Sequence, residues 1–448
     1  MPNQKVIVRF PPSPTGLFHI GNARTFLFNY LFAKQNDGQI VFRLEDTDKE
    51  RSKEEYAQDI IENLKWLQIE PDFSTTVRQS ERASIYKKYI EKLIAEDKAY
   101  LSKEEVTEEG QRAEVIRFRN PNKKIKFNDL IRGDIEFDTT ELKDFVIAKS
   151  IDEPIYHLAV IIDDFEMGVT HVIRGDDGIS NTPRQILIQE AIGAQRPVYA
   201  HLPMMLAPDQ TKLSKRKHGE QVSVSFYKKA GYLPEAVINF LAMVGWNPGT
   251  EQEIFSMAEL IKIFDIKKVQ KKGGIFNIEK LDWLNKEYIK KLPEEEKISN
   301  FKNQISKTRW GSHEKIKDQI FMEKFMKLIL EKIHRWSEVS EILEANEYDY
   351  LFEKPTLDKE KIAWKTQTKE KAKESLEKVL AIFESETTNH ELSVKELAEK
   401  EGKGEVLWPL RYALSGREKS PDPFSLIGIL SREECSKRIS GAISLLSL

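Results

Sequence analysis

A split α/β domain followed by a long helical extension is the architecture this sequence predicts. Three observations lead to it. Short β-branched runs alternate with helix-periodic segments over roughly the first hundred residues. That alternation breaks after Tyr100 and resumes near Tyr156, and beyond about Pro234 the pattern is mostly helical.

Lys5–Phe10 (KVIVRF) reads as a buried strand. After a Pro/Gly-rich loop, Ala23, Phe26, Leu27, Tyr30 and Leu31 fall on one helical face. IVFRL (Ile40–Leu44) is a second strand, ending in the acidic cluster Glu45-Asp46-Thr47-Asp48. Helical spacing returns in Ile60, Ile61, Leu64 and Leu67, and again in Tyr86, Tyr89, Ile90, Leu93 and Ile94. The short strand-like pieces DIEFD and DFVIAKS then suggest a subdomain inserted over 101–150 between two halves of one sheet, 1–100 and 151–240. The second half is expected to open with an apolar strand, YHLAVIID (Tyr156–Asp163). A further region, 241–305, leads into the helical 306–448, where Met322, Phe325, Met326, Ile329, Leu330 and Ile333 form an apolar face.

The 448 residues are 32% charged and 40% hydrophobic with a formal net charge of -3, which describes a soluble globular chain and not a globally basic nucleic-acid binder. One cysteine, Cys435, excludes an internal disulfide and a cysteine-cluster metal site. MPNQKVIVRF lacks the apolar core of a signal peptide and no apolar run is long enough to span a bilayer, so a cytoplasmic protein without a membrane partner is expected.

Two stretches carry chemistry. In RFPPSPTGLFHIGNART (Arg9–Thr25) a strand, a Gly-containing turn and a helix N-terminus make an anion site, where free backbone N–H groups and the helix dipole point at the ligand. His19 can donate to a phosphate, and Gly21 permits close approach of a flat base or a backbone. A tight surface loop is the competing reading. KLSKRK (Lys212–Lys217) puts four cations in six residues after the apolar, strand-like HLPMML. Such runs are usually solvated faces. Here a mobile loop could swing over a polyphosphate, with lysines acting as point charges.

An HIGH-like signature followed about two hundred residues later by a KMSKS-like loop resembles a class I aminoacyl-tRNA synthetase. PSPTG, RLEDTD (Arg43–Asp48), YHLA with IDD, VIRGDD (Val172–Asp177) with SNTPRQ, and KLSKRK resemble the bacterial-type glutamyl-tRNA synthetase family. LPEAVINFLAMVGW, FNIEKLDWLNKEYI, LRYALSG and SPDPF extend the likeness over nearly the whole chain, most weakly over about 305–400. The resemblance implies a Rossmann-like class I catalytic domain with an inserted α+β subdomain that binds the tRNA acceptor end. A stem-contact region and an all-helical anticodon-binding region would follow.

It also implies the reaction: L-glutamate is activated by ATP, with Mg²⁺ accompanying the nucleotide, and is passed to the terminal adenosine of tRNA(Glu), or also of tRNA(Gln) in a non-discriminating enzyme. His19, Lys212 and Lys215 would serve catalysis at the phosphates, with Gly21, Asn22 and Ser214 also holding ATP. For glutamate, Arg174 would pair with the side-chain carboxylate through its planar fork, and Glu45 would take the α-ammonium. Arg9, Ser13 and Tyr156 would complete that pocket, at strand C-terminal ends where open α/β sheets bind ligands. Arg335, Trp336 and Arg411 are candidates for reading anticodon bases, and the KKVQKK run (Lys267–Lys272) for tRNA phosphates. The family is usually monomeric.

Three departures stand out. Asn22 replaces the second histidine of the signature; Gly178 occupies a position where relatives usually carry His or Trp, which opens one wall of the pocket mouth; and AYLSKEE after the break has no cysteines, so no structural zinc is expected. Glutaminyl-tRNA synthetase typically has PEPNG in place of PSPTG and a β-barrel C-terminal region. The truncated paralogue that glutamylates a modified tRNA base lacks an anticodon-binding region. A non-catalytic nucleotide- or tRNA-binding protein on the same scaffold would not be expected to keep His19, Lys212, Lys215, Glu45 and Arg174.

Overall fold

The computed structural model describes residues 5–105, 112–385 and 389–448 and divides into two compact units, Met1–Tyr288 and Ile289–Leu448. In the first, β1 (Ile7–Phe10) passes through the Pro/Gly loop into α1 (Ile20–Gln35), and β2 (Gln39–Leu44) returns parallel to β1 with Val41 opposite Arg9. α2 (Glu54–Trp66), β3 (Val77–Arg78) and α3 (Ala83–Ala95) follow, with β3 parallel to β2. Phe10 stacks on Phe26 of α1 with ring centroids 4.5 Å apart, which packs strand and helix around the loop that joins them.

The chain then forms β4 (Ala99–Lys103), β5 (Glu114–Phe118), β6 (Lys124–Asp129), β7 (Gly133–Asp138), β8 (Phe145–Ser150) and β9 (Glu153–Pro154). β4, β5, β8 and β9 make an antiparallel sheet of their own. The β6–β7 hairpin leaves it and joins the edge of the main sheet.

α4 (Tyr156–Glu166), β10 (His171–Gly175), α5 (Thr182–Ile192) and β11 (Val198–Leu202) resume the parallel layer. β10 pairs parallel with β11, and Tyr199 of β11 pairs with Asp129 of β6. The two halves meet where the Thr170 amide donates to Ile7 O at 2.9 Å and the Ile7 amide to Thr170 Oγ1 at 2.8 Å.

YHLAVIID is helical, not the expected strand. Leu158 through Asp164 are buried without a break, so α4 is covered on every side and its apolar residues show no period by which to tell helix from strand. HLPMML is also not one strand: Pro203 has no N–H to donate, β11 stops at Leu202, and β12 (Met205–Leu206) is a separate piece.

α6 (Lys215–His218), α7 (Val224–Lys229), α8 (Pro234–Met243), α9 (Met257–Ile263), β13 (Gly274–Ile275) and α10 (Ile278–Lys291) complete the first unit, α10 running past its boundary. The second unit has helices and no strand among its described residues: α11 (Glu294–Ile305), α12 (Gln319–Leu330), α13 (Ser337–Glu344), α14 (Asp349–Phe352), α15 (Lys369–Glu384), α16 (His390–Glu401), α17 (Lys403–Ser415), α18 (Pro423–Ile429) and α19 (Arg432–Ser447). Met322, Phe325, Met326 and Ile329 are buried on α12, where Phe325 meets Phe301 and Phe352 edge-on. No helix among the described residues is long and apolar enough to cross a membrane.

Candidate active site

The parallel strands bring β1, β2, β10 and β11 to one edge, so Arg9, Glu45, Arg174 and the loop before α1 share a region. The loop is tied down by its backbone. Glu45 N–H donates to Pro12 O at 3.0 Å, Lys53 N–H to Pro14 O at 3.0 Å, and Phe18 N–H to Asp59 Oδ2 at 2.7 Å. Ser13 lies exposed between these anchors.

His19 is the N-cap of α1. Its Nδ1 accepts the Gly21 N–H at 2.9 Å. A backbone amide only donates, so Nδ1 is unprotonated, the ring is neutral and Nε2 carries the proton. Burial first and then the Lys212 ammonium lower the His19 pKa, which favours that state. The same coupling places Lys212 near His19 in space although 193 positions separate them in sequence. Lys212 and Lys215 are exposed and make no ion pair among the described residues; Ser214 begins the single turn of α6. Gly21 is half-buried, and a Cβ there would lie 3.1 Å from His19 Nδ1, so the glycine leaves room for the cap. Asn22 is exposed in the first turn of α1.

Behind this surface is a buried charge cluster. Arg43, 0% exposed, reaches Glu45 Oε1 at 3.1 Å, Asp164 Oδ1 at 2.9 Å and Asp163 Oδ2 at 3.6 Å. Arg9 meets Asp164 Oδ2 at 3.4 Å, and Arg82 meets Asp163 Oδ1 at 2.7 Å. Three arginines thus face three carboxylates. Glu45 Oε2 has no hydrogen-bond partner among the described residues. Burial, only partly opposed by Arg43, raises the Glu45 pKa, as expected of a carboxylate short of cationic partners.

Arg174, 9% exposed, reaches no carboxylate within ion-pair distance among the described residues. Its Nε donates to His201 Nε2 at 3.1 Å, and Nη2 donates to Gly178 O at 3.1 Å and Thr182 Oγ1 at 2.8 Å. These bonds use the Nε–H and both Nη2 hydrogens, leaving Nη1. Of the planar fork expected to meet a carboxylate, Nη1 alone is without a partner among the described residues. Burial lowers the Arg174 pKa, as it does for a cation without a direct counterion. Tyr156 starts α4 with 44% of its surface exposed, while burial of its hydroxyl end and then Glu45 raise its pKa.

Gly178 does not open the pocket wall. The Arg174 side chain lies over it, and a Cβ at 178 would come within 2.5 Å of Nε. Sequence reading also missed Arg43, Asp163, Asp164, Thr182, His201 and Asp129 as parts of this region. The RLEDTD and IDD runs flagged the acids, but nothing local flagged His201.

In the second unit, Arg411 lines a cavity of about 1060 Å³ with Arg417, Lys419 and Lys332. Its guanidinium sits 4.7 Å from the Trp408 ring centroid and donates to Glu418 O at 2.8 Å. Arg335 is held by Glu338 at 2.9 Å and Glu341 at 3.2 Å. Trp336, 2% exposed, is a core residue, which corrects its candidacy: a base can stack only on an exposed ring face. Within AYLSKEE, Tyr100 O–H donates to Asp144 Oδ2 at 3.0 Å. Residues 106–111, which continue the same region, lie outside the described residues.

The family described as "tRNA synthetases class I (E and Q), catalytic domain" matches residues 5–114 and 101–283, and the "Anticodon binding domain" matches 280–443. A glutamate–tRNA ligase of Aquifex aeolicus is 39% identical over 99% of this chain and 100% of its own. A glutamate–tRNA ligase of Petrotoga mobilis is 38% identical over 97% of each. A solved glutamate tRNA ligase from Elizabethkingia meningosepticum, in complex with its amino acid, superposes with a TM-score of 0.85 at 32% identity, covering 98% of this chain and 99% of that one.

Proposed function

The chain belongs to the class I tRNA synthetases for glutamate and glutamine, and from that premise we propose how its residues divide the work of an ATP-dependent glutamate–tRNA ligase. The glutamate α-carboxylate attacks the α-phosphorus of ATP and pyrophosphate leaves. A ribose hydroxyl of the tRNA 3′-terminal adenosine then attacks the adenylate carbonyl and AMP leaves. No residue need form a covalent bond, so the protein's contribution is alignment and charge stabilisation.

His19 donates from Nε2 to the ATP phosphates, and Lys212 and Lys215 supply mobile cations to them. Ser214, Gly21 and Asn22 line the nucleotide side. Mg²⁺ enters with ATP, held mainly by phosphate oxygens and water. Arg174 receives the substrate side-chain carboxylate on Nη1, Glu45 receives the α-ammonium on Oε2, and Arg9, Ser13 and Tyr156 complete the glutamate pocket. The observation that carries the amino-acid assignment is Arg174, a buried guanidinium with no carboxylate of its own and one nitrogen free.

In the same reading, 101–150 binds the acceptor end, 241–305 contacts the stem with Lys267–Lys272 near its phosphates, and 306–448 reads the anticodon. There Arg411 and its basic neighbours meet the splayed bases. The enzyme works as a cytoplasmic monomer without structural zinc, and stoichiometric zinc by elemental analysis would refute the last point.

Incubation of purified tRNA(Glu) and tRNA(Gln) with labelled glutamate and ATP tests the function. Acylation of tRNA(Glu) is the expected result, and its failure with intact protein overturns the reading. Additional labelling of tRNA(Gln) would make the enzyme non-discriminating.

A further inference from the structure

We propose that His201 is a positioning residue: with the Gly178 carbonyl and Thr182 Oγ1 it fixes the Arg174 guanidinium so that only Nη1 faces the substrate carboxylate. The inference rests on the reading of Arg174 as receptor of the glutamate side chain.

His201 and Arg174 are register partners on β11 and β10, which puts the imidazole beside the guanidinium. An arginine Nε–H only donates, so His201 Nε2 accepts and the proton lies on Nδ1. Nδ1–H then donates to Asp129 Oδ2 at 2.6 Å. Asp129 is itself immobilised. Its carboxylate accepts backbone N–H groups from Ile131 at 2.9 Å, Arg132 at 2.8 Å and His201 at 3.0 Å. The His201 ring stacks on Tyr199 at 6.0 Å with 15° between planes. This chain of fixed groups sets the tautomer, the tautomer supplies an acceptor, and the acceptor sets the arginine.

On the other side, Arg174 lies flat against residue 178. An ideal Cβ there would stand 2.5 Å from Nε, 2.8 Å from Cδ and 3.0 Å from Cζ. A side chain at this position would press on the far end of the Arg174 side chain, which is flexible and gives way.

Protonation of His201 would turn an N–H toward the Arg174 Nε–H and release the guanidinium. The charged and titratable groups facing the ring are Asp129 from β6, Arg174 from β10, Arg9 from β1 and Tyr199 on its own strand. Burial first, opposed by the Asp129 hydrogen bond and aided by Arg174, keeps the His201 pKa below its usual range. The acid loss of glutamate affinity therefore falls below the ordinary histidine region.

Glutamate-dependent ATP–pyrophosphate exchange with tRNA present separates KM for glutamate, KM for ATP and kcat. His201→Phe, which keeps a ring but no acceptor, should raise the glutamate KM about tenfold or more, leaving kcat and the ATP KM within about twofold. His201→Gln, which restores an acceptor, should recover most of the loss and weaken the acid limb of the glutamate KM, leaving the part that Glu45 sets. If His201→Phe leaves the glutamate KM unchanged, or moves the ATP KM in parallel, the inference is overturned. Should His201→Phe not fold, His201→Leu and the pH profile of His201→Gln decide on the same criteria. Arg174→Ala separates the two levels. An unchanged glutamate KM in that variant refutes the receptor reading itself, whereas a raised KM there beside a normal value in His201→Phe refutes positioning alone.

Discussion

The two ring nitrogens of His19 differ in their surroundings, and substitution can separate what each does. Nδ1 caps α1 through Gly21, which leaves Nε2–H for the phosphate contact we propose. Asparagine is itself a good N-cap but lacks the reach of Nε2. His19→Asn should therefore keep thermal stability within about 0.5 kcal/mol, whereas His19→Ala should lose about 1 kcal/mol. Both should lower ATP–pyrophosphate exchange by roughly 100-fold, the cost of one donor at a charged transition state. The pH dependence has a definite sign. The folded His19 pKa lies below its ordinary value of 6.5, so its share of stability is complete above that value and is lost as pH falls through the lowered pKa. Melting scans on either side of that window should show this slope in the native protein and not in His19→Asn. At this scale the sequence was legible where chemistry is local. His19, Gly21 and the lysines of KLSKRK lie in short stretches whose composition sets them apart. Trp336 was not legible, because an amphipathic pattern shows which residues are apolar and not which ring keeps an open face.

β2 and α4 are pinned together by Arg43, and that contact belongs to the elements and not to either residue alone. Arg43 neutralises Glu45 at its own strand end and Asp163 and Asp164 on the helix. Burial alone would lower its pKa, but Asp164, Glu45 and Asp163 together outweigh that and raise it, so the guanidinium stays charged. Arg43→Met would strand three buried carboxylates with only Arg9 and Arg82 to answer them. It should cost about 3–5 kcal/mol, measured as a fall in the urea midpoint of the first unit. RLEDTD and IDD each looked polar and purposeful in sequence, yet their pairing depends on a helix lying across a strand more than a hundred residues away. The same helix shows where pattern reading runs out. YHLAVIID was expected as a strand because continuous burial erases the 3.6-residue period that distinguishes a helix.

The whole molecule carries separate cores in its two units, one built around the parallel sheet and Phe10, Phe26 and Phe42, the other around Phe301, Phe321, Phe325 and Phe352. Calorimetry should accordingly resolve two unfolding transitions, and saturating ATP with glutamate should raise only the one belonging to the first unit. A single transition shifted as a whole would refute that independence. Beside the family resemblance that singled out Arg174, the sequence by itself determined the α/β-then-helical order, the constrained turn before α1 and the cationic loop. Those features rest on local periodicity, turn chemistry and charge, which neighbouring residues encode. Only the tertiary structure decided that Nη1 of Arg174 alone is without a partner among the described residues, that Gly178 is filled by that arginine and not open, and that His201 and Asp129 stand behind it. These depend on strand register and close approach between segments dozens of residues apart, where a few tenths of an ångström settle which donor is free.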